Sequence, residues 1–118
     1  MISLTGLNGA TILVAPKTIF RVRPAVPSEG AETTKVEYAG GYLFTLEPLA
    51  DLITRLADAG IRLIALTTRS GTIVMLNPGS ISRVRDSLPI NGPGTEIVVS
   101  GLYQHVVETV AEVEALLT

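Results

Sequence analysis

Two stretches decide how this chain is read: residues 2–27, ISLTGLNGATILVAPKTIFRVRPAVP, and residues 64–89, IALTTRSGTIVMLNPGSISRVRDSLP. Laid over each other at an offset of 62 they share ten identities, from Ile2/Ile64 and Leu4/Leu66 through Pro16/Pro78 to Arg21/Arg83, Val22/Val84 and Arg23/Arg85. Unrelated stretches of this length match at about two positions, so a repeat is the first thing to read. After a one-residue deletion the match resumes at an offset of 61, with Thr34/Thr95, Tyr42/Tyr103 and Glu47/Glu108 among the shared positions. The chain therefore reads as two copies of one unit, about 2–56 and 64–117.

Each copy carries the same run of local signals. An alternating strand (2–7 and 61–68) ends at Asn8-Gly9 or Ser70-Gly71, pairs that accept the positive φ of a tight hairpin. The next strand (11–15 and 72–76) is almost wholly apolar, the pattern of a strand covered on both faces. Pro16 and Pro78 bend the chain into a third strand (19–25 and 81–87). A Pro/Gly/Ser loop (27–33 and 89–94) absorbs the deletion, and two more strands follow around a glycine turn (34–39 with 42–46, and 95–100 with 103–107). Each copy then closes in a helix. Leu49, Leu52, Ile53 and Leu56 recur at helical spacing behind Pro48, as do Val110, Val113, Leu116 and Leu117. Gly60 is a natural stop for the first helix.

The expected fold is thus α+β: a βββββα unit in tandem, with mainly antiparallel sheets. A unit of about 55 residues is marginal alone, so both copies should share one compact domain over residues 1–118. A duplicated unit descends most simply from a homodimer, which predicts a pseudo-two-fold arrangement.

Composition narrows the function. There are no cysteines among the 118 residues, which excludes disulfides and thiolate chemistry and fits a cytoplasmic setting. The net charge of −2 is shared evenly by the two halves and makes no field to draw nucleic acid or an anionic membrane. No apolar run is long enough to span a bilayer. The lone His105 has no neighbours at metal-ligand spacing. Gly92-Pro93-Gly94 leads into a strand, whereas a phosphate cradle opens a helix. Glu37, Asp51, Glu112 and Glu114 fall on polar faces and form no carboxylate pair. No cofactor and no catalytic residue is indicated.

The candidate binding residues are the arginine pairs Arg21/Arg23 and Arg83/Arg85, and Tyr42 and Tyr103. Residues two apart on a strand share a face, so each copy presents a basic pair. It could hold an anion or an acidic protein segment, or it could be a solvated face whose Arg stems cover apolar surface. The tyrosines could stack on a ligand or pack over their hairpins.

The second copy, with Ile64-Ala-Leu-Thr, Met75-Leu-Asn-Pro and Val106-Val-Glu-Thr-Val-Ala-Glu-Val, resembles the small FlbD/SwrD-type proteins of flagellar operons. The first copy's Met1-Ile-Ser-Leu-Thr-Gly-Leu-Asn-Gly is similar to the family's opening. It departs at Ala15, where copy two has Asn77, and at Leu46-Glu47-Pro48. The resemblance implies a non-enzymatic role supporting flagellar motility through protein contact, with no catalytic or ligand residues to carry over. A protein partner and self-association are the expected interactions. An anion- or small-molecule-binding accessory protein of host or phage is the alternative, and a β-ribbon DNA binder the third reading.

Overall fold

A computed structural model describes residues 1–30 and 33–118; residues 31 and 32 of the loop read at 27–33 lie outside it. The first half runs β1 (Ile2–Thr5), β2 (Thr11–Val14), β3 (Ile19–Pro24), β4 (Thr34–Tyr38), β5 (Gly41–Thr45) and α1 (Leu49–Asp58). The second half gives the same order: β6 (Ile64–Thr67), β7 (Ile73–Leu76), β8 (Ile81–Asp86), β9 (Thr95–Val99), β10 (Leu102–Val106) and α2 (Val110–Leu117). Prolines 16, 27, 78 and 89 each open a short 3-10 turn, where the missing N–H is no loss. Gly60 takes φ +88° just beyond α1, as its place at the helix stop requires. The result is a compact α+β fold with antiparallel pairing throughout.

Among the described residues, hydrogen bonding sorts the strands into three sheets: β1-β2, β10-β9-β8, and a five-stranded sheet ordered β5-β4-β3-β7-β6. The last is composite. Three strands of the first half meet the opening hairpin of the second, with Arg21 opposite Leu76 and Val22 opposite Met75. The Asn77 N–H donates to Phe20 O at 2.9 Å, and the Asn77 amide donates to Ile19 O at 2.9 Å. A closed two-fold would repeat this joint between β8 and β2. Among the described residues β2 pairs only with β1, and β8 only with β9. The pseudo-two-fold expectation therefore has no counterpart in the strand pairing. The joint is head-to-tail.

That asymmetry also corrects the reading of the apolar strands. β7, flanked by β3 and β6, buries Val74, Met75 and Leu76. Its counterpart β2 has only one neighbour, and Leu13 is 61% exposed where Met75 is 5% exposed. Sequence alone gave both strands the same cover.

Two cores result, and each takes a residue from the other half. Ile2, Leu4, Val14, Ile19, Val22, Val36, Leu52 and Leu56 enclose Met75 of β7. Ile64, Leu66, Val74, Leu76, Ile97, Val99, Val106 and Val113 enclose Phe20 of β3. A bulge makes the exchange possible. The β3–β4 register shifts between Ile19 and Arg21, and such a break interrupts strict alternation. Ile19 and Val22 thereby share one core while Phe20 turns to the other. β8 bulges at the matching place, between Ile81 and Arg83, but Ser82 stands there and is exposed. The expected stripe on α2 is also only partly used: Val113 is buried, whereas Leu116 and Leu117 remain exposed.

Candidate functional site

Both arginine pairs lie on the third strand of their half and meet carboxylates, the first pair largely covered and the second still open to solvent. Arg21 Nε pairs with Glu37 across the β3–β4 ladder, and Arg21 Nη1 donates to Gln104 Oε1 of β10 at 2.9 Å. Lys35 Nζ approaches the other Glu37 oxygen at 3.4 Å and lies 4.5 Å from the centre of the Tyr42 ring. Glu37 is consequently buried. Strand period placed it on a polar face, but the stems of Arg21 and Lys35 cover it, as long basic side chains do.

Arg23 grips Glu29 with two parallel bonds of 3.0 and 3.1 Å. Those bonds, with the Val26 N–H, hold the Glu29 carboxyl down at about 2. In the second half Arg85 Nε donates to Glu96 Oε1 at 2.9 Å and Arg83 Nη2 reaches the same oxygen at 3.3 Å. The hydrogen bond from Arg85 is the main reason that the Glu96 carboxyl sits below its usual range. The acid has moved along the strand, since Glu96 occupies the place of Lys35, and Val98 that of Glu37. Repeat matching finds the arginines; the partners follow only from the ladder.

The four guanidiniums do not form one site. Arg21 and Arg23 line a groove of about 450 Å3 between the halves, facing Thr68, Ser70 and Thr72 of the second. Arg83 and Arg85 are not among its lining residues. A second groove, about 430 Å3, runs between Phe20, Tyr38 and Tyr42 on one side and Ser100 and Leu102 on the other.

Tyr42 and Tyr103 do not pack down over their hairpins: they are 61% and 63% exposed. Among the described residues, Tyr42 has close ring company, Lys35 and the edge-on Phe44 ring at 5.9 Å, and Tyr103 has none. Tyr103 lies outside the second groove. His105 meets Arg69 at 3.5 Å through Nδ1, and no group of three potential metal ligands occurs among the described residues. No described helix is long and apolar enough to cross a membrane.

Glu47 and Glu108 are residues whose work the sequence did not disclose, although they stand at matching places in the two halves. The Thr5 N–H donates to both Glu47 oxygens at 3.1 and 3.0 Å, and the Thr67 N–H donates to Glu108 Oε1 at 2.9 Å. Each glutamate clamps the end of the first strand of its half to the segment before the helix. Leu46 N–H to Thr5 O and Val107 N–H to Thr67 O, both 2.9 Å, complete the clamp. Burial pushes the Glu47 carboxyl up, but the bonds from the Thr45 hydroxyl and the Thr5 N–H outweigh it and leave the group below its usual value.

No family model, curated protein or solved structure matches the chain.

Proposed function

We propose that the chain is a tandem duplication of one βββββα unit and works as a non-enzymatic protein-interaction module. The observation that carries this reading is the β3–β7 joint. One unit accepts the hairpin of another as added strands, and each places one side chain in the other's core. Strand addition of this kind is a general mode of protein recognition. A motility setting rests on the FlbD/SwrD resemblance, and a cytoplasmic one on the cysteine-free composition.

A photocrosslinking residue placed at Leu13, on the β2 edge, tests the module reading in producing cells. A discrete adduct is expected there, and none from Asp58 at the end of α1. Absence of any adduct from positions along β2 or β8, in a folded chain, overturns it. Swimming by a deletion strain tests the motility setting separately, and unchanged swimming removes it.

A second reading has its own observation: Arg21, Arg23 and Lys35 face Thr68, Ser70 and Thr72 around the first groove. An anion there would have to compete with Glu37 and Glu29 for the guanidiniums. Titration with inorganic phosphate, followed by NMR, separates the two: shifts that saturate at the groove and vanish in Arg21→Ala favour the anion.

A further inference from the structure

We infer that the free edge of β8 in one chain accepts the free edge of β2 from a second copy of the same chain. The two edges would rebuild the β3–β7 joint between molecules. This rests on the interaction-module reading and names its partner.

The argument is geometric. β1 pairs with β2 in the register that β6 keeps with β7: Ile2 opposite Val14 matches Ile64 opposite Leu76, and Ser3 opposite Leu13 matches Ala65 opposite Met75. β8 pairs with β9 in the register, bulge included, that β3 keeps with β4. The chain therefore displays both halves of its own joint, each formed on its inner side and unpaired on its outer side. Bringing β2 to β8 would turn the three-stranded sheet β10-β9-β8 and the hairpin β2-β1 into a five-stranded sheet. Its order would be that of β5-β4-β3-β7-β6. The expected register puts Val84 opposite Leu13 and Arg83 opposite Val14, the places of Val22/Met75 and Arg21/Leu76.

Two observations on β2 agree, whereas β8 carries Arg83, Arg85 and Asp86. β2 reads Thr-Ile-Leu-Val, without the charge or proline that usually blunts an edge strand. Leu13, exposed in the single chain, would take the place in which Met75 is covered. A head-to-tail contact propagates unless its rotation closes a ring, so the product is a linear array or a small closed ring.

The joint between chains lacks three contacts of the internal one. Ser82 stands for Phe20, Ala15 for Asn77, and Leu43 for Gln104, the acceptor of Arg21. Pairing between chains rests on the ladder and on covering Leu13, and is correspondingly weak.

Sedimentation of the purified chain from about 10 μM to about 1 mM reads the association directly. The weight-average mass should rise with concentration. Ala15→Pro blocks the edge without disturbing the fold. Ala15 already has φ −72°, a proline value, and the N–H that is lost corresponds to the one Asn77 donates to Phe20 O. It should weaken association by about tenfold or more. The double variant Ala15→Asn/Ser82→Phe restores two missing contacts and should tighten association by about tenfold or more. A wild-type chain that stays single throughout this range, a mass profile unmoved by Ala15→Pro, or a double variant that fails to tighten each overturns the proposal. An adduct from Leu13 to a different protein leaves the module reading standing while this one falls.

Discussion

Phe20 is the sharpest place to test the exchange of side chains between halves. It belongs by sequence to the first half, yet it is 5% exposed within the core of the second, against Ile64, Leu66, Val74 and Leu76. Truncation to alanine forfeits the transfer of most of a phenylalanine ring and leaves a cavity, together about 3–5 kcal/mol. A domain of this length holds roughly 6–18 kcal/mol in all, so the loss is large but survivable. Its location matters more than its size. Phe20→Ala should raise amide exchange in β6, β7 and β9, in the second half, more than in β1. Ile19→Ala, one residue earlier, should do the reverse, because Ile19 is buried in the first core. Urea unfolding gives the magnitude, and hydrogen exchange read by mass spectrometry gives the place. A cost for Phe20→Ala below about 1 kcal/mol would contradict the burial argument. Loosening confined to the first half would refute the exchange itself.

Other perturbations follow from single contacts. Asn77→Ala removes a buried amide that donates to Ile19 O and accepts from Gly79 N–H, and should cost about 1–3 kcal/mol in urea unfolding. Gly94→Ala should be worse than Gly9→Ala by about 1 kcal/mol or more in thermal or urea unfolding. Both glycines have positive φ, but only at Gly94 would a Cβ meet a backbone oxygen, that of Val106, at 2.6 Å. Acid should destabilise the fold. Glu29, Glu47 and Glu96 all have folded-state values below the ordinary carboxylate range, so the unfolded chain takes up protons first. Their contribution is full above the ordinary value of 4.5 and fades as pH falls, for Glu29 until about 2. Glu47→Gln should flatten this acid limb in a pH series of urea midpoints, and an unchanged slope would show that the clamp on Thr5 does not depend on charge.

The order of elements was legible because it rests on local chemistry. Asn8-Gly9, Pro16, Pro78 and the leucine spacing of α1 act within a few residues, and the strands and turns fall within a residue or two of the expected places, apart from β6, which starts at Ile64 where residue 61 was expected. Sheet membership was not legible. A run such as Thr11–Val14 or Ile73–Leu76 is apolar whether it has one neighbour or two. Only the partner strand decides whether Leu13 or Met75 is covered, and that partner lies in the other half. Phe20 against Ser82 was visible as a difference between the two halves. Its meaning depends on a bulge that turns the side chain out of its own core, which no periodicity reveals. The burial of Glu37 was hidden likewise, since strand period cannot show that Arg21 and Lys35 fold over it. The pseudo-two-fold expectation assumed that a duplicated unit keeps a self-complementary contact. A strand has two different edges, and here β3 gives one to β4 and the other to β7.

Magnitudes explain why one head-to-tail joint can be firm within the chain and weak between chains. α1 ends at Asp58 and β6 begins at Ile64, so the second hairpin is tethered close to the edge it joins. A short tether supplies an effective concentration in the millimolar range, which favours the internal joint over pairing of free chains at about 1 μM by about 4 kcal/mol. The Phe20 ring and the Asn77 amide add about 3–5 and 1–3 kcal/mol at the same place. The outer edges have neither the tether nor those side chains, because Ser82 and Ala15 occupy the matching positions. Substitutions at these two positions therefore act on contact between molecules while leaving the fold of each half to its own core. An assembly that grows and shrinks with concentration requires that separation.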